Sequence, residues 1–142
     1  MNDTDDQTEF DLVPPPASAL VESLRGVGYS MPTAVADLID NSISAGATTV
    51  HVRGLWAGRD TVISLLDDGQ GMDRDELTNA MRLGWRSPLA DRSASDLGRF
   101  GLGLKTASFS QCRRLTVASR KNGRLSIRRW DLDHIARGDI ND

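Results

Sequence analysis

Ala36-Asp37-Leu38-Ile39-Asp40-Asn41-Ser42 sets Asp37 and Asn41 four residues apart, so on a helix both side chains leave in the same direction. Val35, Leu38 and Ile39 form the apolar side of that helix, which is expected over residues 31–45. Pro32 falls in the first turn and Gly46 supplies the stop. A hard cation such as Mg²⁺ takes oxygen ligands, and the Asn41 carboxamide can provide one while phosphates and waters provide the rest. A carboxylate beside it can orient and deprotonate an attacking water. Taken alone, the same pair also describes a solvated helix face.

Working outward, residues 49–55 and 60–66 alternate as two strands around Ala57-Gly58-Arg59-Asp60. The second strand runs into Asp67-Asp68-Gly69-Gln70-Gly71-Met72. An aspartate there can accept from an adenine amino group, and the two glycines let the backbone approach a flat ring. A helix follows over residues 73–83, with Asp73 and Glu76 at capping-box spacing. Residues 84–97 are small and polar and read as a loop.

The third segment, Gly98-Arg99-Phe100-Gly101-Leu102-Gly103-Leu104-Lys105-Thr106, opens a helix ending near Gln111. It imitates two nucleotide signatures and matches neither. Gly98-x₄-Gly103 has one residue too many before Lys105 for a P-loop, and Gly98-x-x-Gly101-x-Gly103 is the dinucleotide fingerprint reversed. Their shared physics survives. Glycines free backbone N–H groups to cradle phosphate, the helix offers its positive end, and Lys105 adds a point charge. Strands over 114–119 and 125–130 then close a hairpin around Lys121-Asn122-Gly123.

The bulk composition excludes several classes. A chain of 142 residues is one domain at most. Its net charge of −3 exerts no global pull toward nucleic acid or anionic membrane. Cys112 is the single cysteine, which rules out an internal disulfide and points to a reducing, cytoplasmic setting. No apolar run is long enough to span a bilayer. Residues 1–16 carry five acids, no base and Pro14-Pro15-Pro16, and read as a disordered leader before a domain over 17–142. His51 and His134 have no metal-type neighbours, and Trp56, Trp85 and Trp130 are too scattered for a stacking platform. Arginines 113, 114, 120, 124, 128 and 129, with Lys121, concentrate positive charge in the last hairpin, either as a solvated face or as a contact for DNA phosphates.

The order of the three segments resembles the N, G1 and G2 boxes of the GHKL ATPase superfamily, which includes type II topoisomerases, heat-shock ninety chaperones, histidine kinases, MutL and MORC. The resemblance runs from about Ser18 to Trp130, and Ile39-Asp40-Asn41-Ser42-Ile43-Ser44-Ala45-Gly46-Ala47-Thr48 is closest to MutL and bacterial MORC-like proteins. It implies a Bergerat fold: an α+β two-layer sandwich with a mixed, mainly antiparallel sheet covered by helices on one face. It implies Asn41 as the Mg²⁺ ligand, Asp67 as the adenine partner, Gly71 for adenine approach and residues 84–97 as the ATP lid. Gly101, Leu102, Gly103, Leu104 and Lys105 become the phosphate holders. The catalytic base of the family is usually Glu where this chain has Asp37, one methylene shorter; Asp40 is the reserve.

The same resemblance implies slow Mg²⁺-dependent ATP hydrolysis, with lid closure and homodimerisation driving a DNA-handling or defence machine. A further strand with a Gly-Thr pair completes the pocket in that superfamily and is not found before Asp142, so the domain is expected to lack its last strand. An open sheet edge favours association. Two other readings stand beside this one. A histidine kinase needs a phospho-accepting His upstream, and none precedes Met31. A nucleotide sensor that binds without turnover fits the short Asp37.

Overall fold

The computed structural model describes residues 17–26, 28–82 and 103–137. Its elements are helices α1 (Ala17–Arg25), α2 (Met31–Ser44), α3 (Arg74–Met81), α4 (Gly103–Gln111) and α5 (Leu132–Ala136), and strands β1 (Val50–Leu55), β2 (Val62–Asp67), β3 (Arg114–Lys121) and β4 (Arg124–Asp131). The expected α+β composition is therefore present. The short α5 was not anticipated. It starts because Asp131, the last residue of β4, accepts from the backbone N–H groups of Asp133 and His134 and so caps a new helix.

Local chemistry sets most boundaries. Ser30 caps α2 by accepting from Thr33 N, and Pro32 sits in the first turn. At the other end Gly46 N donates to Ile43 O and Ala47 N to Ser42 O, a Schellman stop that Gly46 permits at φ 77°. Asp73 and Glu76 form a reciprocal capping box on α3. Asn122 and Gly123, at φ 52° and 75°, make the two-residue turn between β3 and β4, which suits the right-handed twist of the hairpin.

The four strands pair as two antiparallel hairpins, β1 with β2 and β3 with β4, with no ladder joining them among the described residues. The single mixed sheet of the sequence reading is thus seen here in two antiparallel pieces. Their ends meet through the turn after β2. Met72 N donates to Ser119 Oγ at 2.7 Å, and a Cβ on Gly71 would lie 2.1 Å from Arg120 O.

The main core joins α1, α4 and α5: Val21, Phe109 and Leu132 are buried, with Leu24, Leu115, Trp130 and Ile135 against them. Arg25 reaches across to the carbonyls at the end of α4, donating to Cys112 O at 2.9 Å and to Phe109 O at 3.3 Å. Trp130 meets Phe109 edge-to-face and donates from Nε1 to Met81 O, tying β4 to the end of α3. Trp130 is a structural residue. No helix among the described residues is long and apolar enough to cross a membrane.

Candidate nucleotide site

Helix α2 packs on α4, and its buried side chains are small. Ala34 and Ser42, two turns apart, are its buried residues, whereas Val35, Leu38 and Ile39 are half-buried. This corrects the helix face read from the sequence. Asp37 and Asn41 are half-buried as well. Ala34 and Ser42 carry little hydrophobic signal, so periodicity placed the stripe on their larger neighbours.

The turn after β2 is stitched onto the far end of α2. Gln70 N donates to Ala45 O at 3.0 Å. Asp68 accepts from Thr48 N at 2.7 Å, Thr48 Oγ1 at 2.7 Å and Thr49 N at 2.8 Å. These donors hold its carboxyl at about 2, well below the ordinary 3.8. Its neighbour Asp67 is oriented by two further donors: Ser42 Oγ reaches Oδ2 at 3.0 Å and Gly69 N reaches Oδ1 at 2.9 Å. Each oxygen keeps a lone pair for another donor. Gly69 is packed tightly here, since a Cβ would come within 3.0 Å of Asp67 Oδ1 and 3.1 Å of Ala45 O. The first two segments therefore form one assembly, with Asp67 one residue from Asn41 through the Ser42 bond.

Lys105 sits in the first turn of α4 and is only 4% exposed. Its ammonium donates to Arg82 O, the carbonyl that follows α3. Burial pushes its pKa down, because a desolvated ammonium prefers to lose its proton. Among the described residues it has no carboxylate partner, and no hydrogen bond joins it to Asp37, Asn41 or Asp67. Gly103 and Leu104 lie beside it, half-buried, at the start of α4. Gly101, Leu102 and residues 84–97 lie outside the described residues. Gly71 takes φ 67°, and its open side faces Arg120 O. A tight strand junction thus gives this glycine a packing reason of its own.

Asp37 has a partner that motif reading overlooked. Interaction with the Asp37 carboxylate, as a hydrogen-bond acceptor and as a like charge to the phenolate, pushes the Tyr29 phenol pKa above its ordinary 10.0. Ser42 was likewise passed over; its only sequence signal was adjacency to Asn41. As for metal binding, no group of three or more His, Cys, Asp or Glu side chains forms a cage among the described residues. One carboxamide with a carboxylate one turn away is a donor set that fits Mg²⁺ carried in with phosphates and waters, and does not fit a metal held by protein alone.

Much of the positive charge in the last hairpin is already engaged. Arg113 bonds Asp133 at 2.8 Å and Glu22 at 3.4 Å, Arg114 bonds Asp131 at 2.8 Å, and Lys121 bonds Glu76 at 2.6 Å. Arg128 and Arg129 donate to Thr78 and Thr116.

Comparison with known proteins gives this arrangement a context. The chain is 33% identical over 91 residues to the ATPase morc-1 of Caenorhabditis elegans, covering 64% of this chain and 10% of that protein. It is 36% identical over 88 residues to Protein MICRORCHIDIA 3 of Arabidopsis thaliana, covering 58% and 14%. It is 34% identical over 109 residues to the DNA mismatch repair protein MutL of Halobacterium salinarum, covering 75% and 16%. The chain thus spans only 10–16% of the length of these relatives. A family model described as histidine kinase-, DNA gyrase B-, and HSP90-like ATPase matches residues 29–141, which takes in α2 with Asp37 and Asn41, the Asp67 turn and the Lys105 helix. The chain belongs to the family of histidine kinase-, DNA gyrase B-, and HSP90-like ATPases.

Proposed function

We propose that the chain binds ATP with Mg²⁺ and hydrolyses it slowly, and that this cycle works a larger MutL- or MORC-like machine. The observation that carries the reading is Asp67: a carboxylate at a strand end, fixed by Ser42 and Gly69 with lone pairs still open. Such an acceptor suits an adenine amino group. Lys105 supports the other end of the ligand, as a buried ammonium at a helix N-terminus whose only partner among the described residues is a carbonyl.

In this reading adenine donates to Asp67, and Lys105 with the N–H groups around residues 101–105 takes the phosphates. Gly71, at φ 67°, would let the backbone of the Asp67 turn come close to the ring. Asn41 would hold Mg²⁺ together with phosphate oxygens and waters, and the ion would supply neutralisation of phosphate charge. Asp37 accepts a proton from water as the water oxygen bonds to the γ-phosphorus and the bond to the β-phosphate oxygen breaks. Residues 84–97 would cover the nucleotide, and closure would favour a homodimer. Contact with DNA belongs to the larger assembly. The single, half-buried Cys112 is in keeping with a cytoplasmic protein.

A nucleotide sensor without turnover is the second reading, favoured by the short reach of Asp37. Calorimetric titration of the full chain with Mg²⁺ and ATP, beside phosphate-release kinetics, separates the two. Asp67→Asn should weaken binding. Asp37→Ala should keep binding and lose turnover; binding without turnover in the unsubstituted chain supports the sensor, and no binding by the folded chain refutes both.

A further inference from the structure

Lys105 is 4% exposed, and its only partner among the described residues is a neutral carbonyl, Arg82 O. A buried ammonium is costly unless an anion stands beside it. The substitute here is the end of α3, where unpaired carbonyls carry about half an elementary negative charge. Arg82 follows the last residue of that helix, and its own N–H still donates to Thr78 O and Asn79 O. The Lys105 ammonium thus acts as a side-chain cap on α3, supplied from another helix.

The rest of α3 does not depend on this bond. Lys121 bonds Glu76 at 2.6 Å, Arg128 donates to Thr78 Oγ1 at 3.1 Å, and Trp130 donates to Met81 O at 2.8 Å. These three side chains of the last hairpin fasten α3 from its first turn to its last residue. Withdrawing Lys105 frees one carbonyl and leaves the helix in place.

A second direction is open to the same side chain. Lys105 is the third residue of α4, and the first N–H groups of a helix have no partner inside it. Helix side chains lean toward the N-terminus, so the lysine stem runs toward the groups on which a phosphate would sit. A bond between ammonium and phosphate is roughly twice as strong as one between neutral groups.

We infer that Lys105 is a two-position latch: without ligand its ammonium caps α3 at Arg82 O, and the phosphates of a bound nucleotide draw it off that carbonyl. This rests on the ATP reading of the site and adds a consequence to it. Phosphate occupancy is passed to the end of α3, whereas a nucleoside held only through its base leaves the latch closed.

Nuclear magnetic resonance on the full chain, labelled with carbon-13 and nitrogen-15, reads both positions. Lys105 and Lys121 are the only lysines in the chain, so two ammonium signals are expected, with Lys121 on Glu76 as the control. Saturation with Mg²⁺ and a non-hydrolysable ATP analogue should shift the Lys105 ammonium signal. The Arg82 carbonyl carbon should move in the direction of a lost hydrogen bond, to where it lies in ligand-free Lys105→Met. The direction of that shift is read on the unsubstituted chain and needs no variant. Adenosine should leave both signals at their ligand-free positions. An Arg82 carbonyl that stays in place with the analogue bound, or that moves equally with adenosine, would overturn the inference while leaving the ATPase reading intact. Identical Arg82 carbonyl signals in the ligand-free chain and a folded Lys105→Met would overturn it too, because the cap would not exist. A chain whose signals ignore the analogue altogether would refute the ATP reading, and the exchange of partners with it.

Discussion

Ser42 Oγ donates to Asp67 Oδ2 at 3.0 Å, joining the last turn of α2 to the end of β2 across 25 residues of sequence. The hydroxyl also lies 3.3 Å from Leu38 O. It has one proton, and the charged, closer acceptor takes it. Asp67 therefore meets any incoming donor already oriented.

Ser42→Ala removes that bond without removing bulk from the contact between α2 and α4. A hydrogen bond to a charged group contributes about 1.5 kcal/mol or more, so the Kd for ATP should rise about tenfold. Melting temperature should change little, because Ala suits both a helix interior and a small-residue contact. Calorimetry beside thermal melting checks the separation; an unchanged Kd would mean that Asp67 needs no support.

Lys105→Met keeps an unbranched apolar stem and deletes the ammonium. Burial already pushes that ammonium toward its neutral form, so the ligand-free fold loses little and should melt at or near its original temperature. ATP binding should weaken at least about tenfold through loss of a charge-assisted bond to phosphate. Adenosine binding, which involves no phosphate, should hold. Equal weakening toward adenosine and ATP would show that Lys105 serves only the end of α3.

Gly71→Ala places a methyl 2.1 Å from Arg120 O on a backbone at φ 67°. The clash is with backbone, which cannot swing aside, and the conformation is itself strained for alanine. Destabilisation of about 2 kcal/mol or more is expected. Chemical denaturation reads it directly, and a near-neutral result would show that the two hairpins meet loosely.

Asp68 has a pH signature. Its folded carboxyl titrates at about 2 against an ordinary 3.8, so its contribution to stability is fully present above 3.8 and is lost as pH falls through 2. Asp73 and Glu76, also held low by their caps and by Lys121, act in the same direction. Acid unfolding followed by circular dichroism should show stability falling across that window, with a shallower fall in Asp68→Asn. An identical slope in the variant would remove the Thr48–Asp68 clamp as a source of stability.

Tyr29 is the only tyrosine in the chain, so near-ultraviolet titration reports on it alone. With the fold monitored in parallel, its midpoint should lie above 10.0 and return toward it in Asp37→Asn, because the carboxylate opposes phenol ionisation. Equal midpoints in the two proteins would show that the Asp37 carboxylate does not act on the phenol in solution.

Much of the architecture was legible because its signals are local. The Asp73–Glu76 capping box, the Gly46 stop and the Asn122-Gly123 turn each act within a few residues, and each stands where the sequence placed it. The acidic turn and the Lys105 helix were readable as chemistry for the same reason. The packed face of α2 was misplaced because Ala34 and Ser42 are too small to mark themselves by hydrophobicity.

By itself the sequence determined which element each candidate residue rides on and what its side chain can do, since helical period, caps and tight turns are short-range effects. Only the tertiary structure decided what holds those residues in place: Ser42 against Asp67, Gln111 against Tyr29 O, Arg82 O against Lys105, and Gly71 under Arg120. These pairs are distant in sequence and rest on single hydroxyls, carbonyls or a missing methyl, which carry no period. They come into contact only after apolar burial has set the helices and hairpins together.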